Sequence, residues 1–120
     1  MSYTLTINTK NHGDLIMVSN GAEEAKLTAS FNYETIFNNL FEHENKKGIL
    51  IFEGMDVFES LSFINDALKT LEYIRQTKPS ANIEEASEGN VYVFLTKMKK
   101  LVNTVMSEYP TVEMTWEVEY

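Results

Sequence analysis

Three carboxylates, Glu53, Asp56 and Glu59, stand close together where an apolar run, Ile49-Leu50-Ile51-Phe52, gives way to an amphipathic segment. A strand end followed by a helix start is where open α/β proteins place ligands. Carboxylates that converge there can hold Mg²⁺ or divide the work of acid and base. Asp56-Val57-Phe58-Glu59 also has the spacing of a capping box, with Asp in place of Ser or Thr. In that use Asp56 and Glu59 satisfy free N–H groups and complement the helix dipole, leaving Glu53 alone.

The remaining chemistry-bearing residues form no recognisable constellation. Histidine is the usual general base near neutral pH, and there are two, His12 in a turn and His43 between Glu42 and Glu44. Neither has a nucleophile in a known context nor a second His at i+4 to make a metal pair. Glu84, Glu85 and Glu88 lack the EF-hand spacing with its glycine and are expected in a solvated loop. Gly13, Gly21, Gly48, Gly54 and Gly89 are all isolated, so no phosphate cradle is present. No cofactor is expected.

Charge narrows the partners. The 120 residues carry 18 acidic and 10 basic side chains, a formal net charge of -8, and Arg75 is the single arginine. Such a surface repels phosphate backbones, so direct nucleic-acid binding is not expected. The basic clusters, Lys46-Lys47 and Lys97, Lys99 and Lys100, are expected on solvated helix faces. The same balance favours a protein partner with a basic surface. Without cysteine there is no disulfide, zinc-thiolate site or thiol catalysis. No leader pattern or membrane-length apolar run is visible, and a cytoplasmic protein is expected.

The elements that must position these groups follow from periodicity. Residues 3 to 9 alternate Tyr3, Leu5 and Ile7 with Thr4, Thr6 and Asn8, as a half-buried strand does. Asn20-Gly21 predicts a type I′ hairpin between 14–19 and 22–31, pairing Val18 with Glu23 and Ile16 with Ala25, and hence a three-stranded meander. Tyr33, Ile36, Phe37, Leu40 and Phe41 make a helical stripe, with Asn32 to cap it and Lys46-Lys47-Gly48 to end it. The 49–52 run is expected as a buried central strand. Val57, Leu61, Ile64, Leu68, Leu71 and Ile74 predict a long helix stopped by Pro79, and residues 79–90 a long loop. Val91, Leu95, Met98, Val102, Val105 and Tyr109 favour a helix from about Glu88 to Glu108 over a strand at 90–95. Phe58, Phe63, Tyr92 and Phe94 lie off the stripes and are expected to widen the core face. After Pro110 the chain ends in an alternating strand, 111–120.

The fold expected is therefore a single α+β domain of order β-β-β-α-β-α-α-β. A mainly antiparallel sheet of about five strands would have the helices on one face, the long pair as an antiparallel hairpin. The last strand turns Val112, Met114, Trp116 and Val118 to one side and Glu113, Glu117 and Glu119 to the other. An acidic outer row is a common guard on edge strands; it can also imitate spaced phosphates for a basic partner. Three functions follow as expectations. The first is a small non-catalytic interaction protein, in its concrete form an inhibitor or phage-type counter-defence factor, acting through Glu113, Glu117 and Glu119. The second is a small metal- or ligand-binding enzyme built on Glu53, Asp56 and Glu59, and the third a homodimer or larger homo-oligomer.

Overall fold

The computed structural model describes residues 1–9, 26–77 and 83–120. In chain order the elements are β1 (Ser2–Thr9), β2 (Lys26–Ser30), α1 (Glu34–Leu40), β3 (Glu42–His43), β4 (Lys46–Lys47), α2 (Val57–Thr77), α3 (Ile83–Glu108) and β5 (Met114–Glu119). The class is α+β as expected, but the strands divide into a three-stranded antiparallel sheet, β2-β1-β5, and a separate β3-β4 ribbon.

β1 is the central strand because alternate residues bury deeply while both edges find partners. Tyr3 lies opposite Ala29, Leu5 opposite Leu27 and Val118, and Ile7 opposite Trp116. Lys26–Ser30 thus pairs with β1 directly, whereas the expected meander would have put another strand between them. The Asn20-Gly21 turn, with His12, lies outside the described residues.

The stretch from Phe31 to Phe52 departs most from expectation. Ser30, rather than Asn32, supplies the cap: its hydroxyl accepts from the Asn32 N–H at 3.1 Å and opens a 3₁₀ turn, Phe31–Tyr33, ahead of α1. α1 stops at Phe41, which turns extended, so Lys46-Lys47 does not end a helix. It forms β4 instead. Glu44 and Asn45 between β3 and β4 both have positive φ, 49° and 67°, the geometry of a type I′ turn. Gly48, at φ 69°, then donates to the Phe41 carbonyl at 2.9 Å, and a Cβ there would stand 2.3 Å from the Asn38 Oδ1.

The 49–52 run is a 3₁₀ helix, Gly48–Phe52, and not a central strand. Ile49, Ile51 and Phe52 are buried all the same, for a short apolar run satisfies burial equally as a turn once β1 has no free edge.

α2 begins at Val57 as the sequence requires, with the Asp56 carboxylate accepting from the Glu59 N–H at 3.0 Å. α3 begins at Ile83, so the expected long loop is helical from that point, and Gly89 falls within the helix. Val91, Leu95, Met98, Val102 and Val105 are all fully buried. Each such burial is worth about 1.5–3 kcal/mol, against a β-propensity scale spanning only about 1 kcal/mol; the helix therefore prevails over the strand-like composition of 91–95. α2 packs against α3 across a short connection, and the Tyr92 hydroxyl donates to Glu72 at 2.8 Å. Phe58, Phe63, Tyr92 and Phe94 are half-buried against the same core, widening it as expected. Among the described residues no helix is long and apolar enough to cross a membrane.

Candidate functional site

Two regions bring candidate residues together, and β5 joins them. After Pro110 the chain turns once more, the Val112 N–H donating to the Tyr109 carbonyl, so the strand starts at Met114 rather than at 111. Met114, Trp116 and Val118 then face the core. The Trp116 indole N–H donates to the Ser60 hydroxyl at 2.9 Å, and that hydroxyl donates to the Val57 carbonyl at 2.5 Å. The indole N–H and the Ser60 hydroxyl each have a partner, so burying an indole beside a serine costs little. The network fixes β5 to the first turn of α2.

With Trp116 inward, Glu117 and Glu119 must face outward. Glu119 is exposed and Glu117 half-buried, and successive outward carboxylates on a strand lie about 7 Å apart. The Asn8 amide donates to Glu117 at 2.6 Å, holding that carboxylate against the sheet. Glu113 is exposed but precedes the strand, so the row is a pair on β5 with a third acid at its start. Glu117 and Lys26 both lie opposite Thr6, on its two sides. The acidity therefore belongs to the β5 side, and the β2 side of the same row carries Lys26 beside the neutral Thr28 and Ser30.

The second region is a cleft of about 210 Å³ between the β3-β4 hairpin and the start of α2. Glu53, Asp56 and Glu59 all line it, with His43, Glu44 and Lys46 opposite. The structure brings the three residues to the lining of one cleft, and two of them are already engaged. Asp56 caps α2, and Glu53 accepts the Val118 backbone N–H at 2.5 Å. His43 lies 3.8 Å from Glu44 and edge-on to Phe63, with ring centroids 5.0 Å apart. Among the described residues no three His, Asp or Glu side chains are placed to hold one metal ion.

The lysines of the two basic clusters separate. Lys46 and Lys47 are exposed on the hairpin, while Lys99 and Lys100 line an open groove along α3. Thr96 and Thr104 share that groove, but their hydroxyls donate to their own helix, to the Tyr92 and Lys100 carbonyls. Glu84, Glu85 and Glu88 belong to the start of α3.

Sequence reasoning missed Ser60, Asn8 and the 42–47 hairpin. Ser60 sits one residue off the apolar stripe and acquires meaning only through Trp116. Asn45, a residue that tolerates positive φ, was the one local signal for the hairpin. No family model, curated protein or solved structure matches the chain.

Proposed function

We propose that the protein is a small non-catalytic interaction module that engages a protein partner with a basic surface through Glu113, Glu117 and Glu119. The observation that carries this reading is the fixation of β5. Trp116 is bonded into the α2 start, so Glu117 and Glu119 lie on a rigid strand, with Glu113 just before it, and lose little conformational freedom on binding. The net charge of -8 supports it, because long-range attraction steers a basic partner to an acidic surface. In its concrete form the module is an inhibitor of phage counter-defence type, whose carboxylate row occupies a surface that otherwise receives phosphates. Affinity capture from the native host, with the wild type and the triple variant E113K/E117K/E119K, supplies the partner, and its affinity is then measured across salt concentration. The wild type is expected to bind more weakly as salt rises and the reversed row not at all; equal binding by both overturns the proposal.

The cleft favours a second reading, a small ligand- or metal-binding enzyme using Glu53, Asp56 and Glu59. Because Glu53 and Asp56 also hold structure, Glu59→Gln is the informative substitution. This reading expects a divalent-ion-dependent rise in melting temperature that the substitution abolishes; a rise of equal size in both proteins assigns the ion elsewhere.

A further inference from the structure

We propose that the chain guards the outer edge of its own sheet and that Glu53 is the guard. Trp116 and Val118 direct their backbone groups away from β1, where a fourth strand would pair. Around Trp116 both positions are filled by backbone: the Gly54 N–H donates to the Trp116 carbonyl and the Trp116 N–H donates to the Met55 carbonyl, each at 2.9 Å. This short strap ends before Val118. There the Glu53 carboxylate accepts the Val118 N–H at 2.5 Å, taking the place of an incoming strand's carbonyl. A charged side chain in that position is an obstacle to strand addition, because it already satisfies the Val118 N–H and a newcomer must displace it.

The strand the edge must refuse is a second copy of itself. Antiparallel pairing about Val118 would set Glu117 of one copy opposite Glu119 of the other, twice over. Like charges directly opposite one another are destabilising, so the acidic row adds a second barrier to the one Glu53 provides. The inference does not rest on the proposed partner. It gives Glu53 a role outside ligand binding, and it separates from the interaction reading experimentally, since reversing the row to lysine preserves self-repulsion while destroying an acidic docking surface.

The test combines amide exchange at Val118 with sedimentation velocity across a concentration series, using E53A, E53Q and E53A/E117Q/E119Q. Exchange at Leu5, paired on both sides within β1, serves as the internal reference for global opening. In E53A the Val118 rate is expected to rise about tenfold or more relative to Leu5, whereas E53Q, which keeps an acceptor oxygen, is expected to stay near the wild type. The triple variant is expected to form a dimer at concentrations where the wild type sediments as a monomer. A Val118 rate unchanged in E53A, or a triple variant that sediments as the wild type does, overturns the proposal.

Discussion

The two sides of the sheet are held by opposite means. On the β5 side a neutral, fully buried chain of hydrogen bonds, Trp116 to Ser60 to Val57, fixes the strand from beneath, and the 53–56 strap closes its outer edge. On the β2 side the anchor is Tyr3, whose ring lies 4.5 Å from Phe31 and whose hydroxyl donates to the Glu34 carboxylate at 3.2 Å. The outer side of β2 has no strand beside it among the described residues. From beneath, β5 therefore depends on packing and neutral polar satisfaction, with the Glu53 carboxylate at its outer edge, while the β2 side depends on a tyrosine beside a charge. The difference teaches which of the two anchors, the buried indole or the tyrosine, responds to pH.

Trp116→Ala attacks the buried side and carries the largest expected effect. Truncating a buried aromatic costs about 3–5 kcal/mol, and a chemical-denaturation midpoint reads it directly. A loss as small as that of a surface substitution would show that the strap alone holds β5. Ser60→Ala leaves the indole N–H buried without its acceptor, at about 1–3 kcal/mol. In a Trp116→Phe background the same change is expected to cost much less, and the difference between the two costs measures the coupling.

The smallest effect tests the β2 side through pH. Burial first, and then the Glu34 charge, raise the Tyr3 pKa above its ordinary 10.0. Above pH 10 the unfolded chain loses this proton while the folded chain keeps it. Stability from this group is thus fully present below pH 10 and falls as pH climbs toward the folded value. Melting temperature measured across that range should decline, and Tyr3→Phe should remove part of the decline. Tyr92, raised chiefly by its hydrogen bond to Glu72, contributes in the same direction and is unaffected by that substitution.

Much of this arrangement was legible in the sequence where one local signal agreed with one burial pattern. The start of α2 could be read to the residue because Asp56 and Glu59 announce a cap immediately before a sustained stripe. The inward set of β5 followed from alternation alone, and the stripe of α3 from its steps of four and three. Legibility ended where local signals were brief. Ile49-Leu50-Ile51-Phe52 has no periodicity, and whether it becomes strand or 3₁₀ turn is decided by the distant fact that β1 is flanked by β2 and β5. The start of α3 was obscured by its polar composition and by Gly89, which costs about 1 kcal/mol relative to alanine in a helix interior and is outweighed by the buried stripe that follows. The candidate carboxylates share one cleft and the capping duty of Asp56 was legible, but the duty of Glu53 was not. That Glu53 serves β5 depends on a contact across 65 residues, and no local pattern encodes it.

The pairing of β1 with β5 has a consequence for the order of events during synthesis. Thr4 lies opposite Glu119, so nearly the whole chain intervenes between the central strand and one of its two neighbours. Contacts of such long sequence separation slow folding, because the intervening loop must be closed before they contribute anything. On the ribosome α2 and α3 can zip together locally, while β1 must wait, one edge unsatisfied, until residues 114–119 have emerged. Residues 114–119 complete the surroundings of β1, so a ribosome that stalls shortly before them leaves a chain with its helices in place and its sheet unclosed.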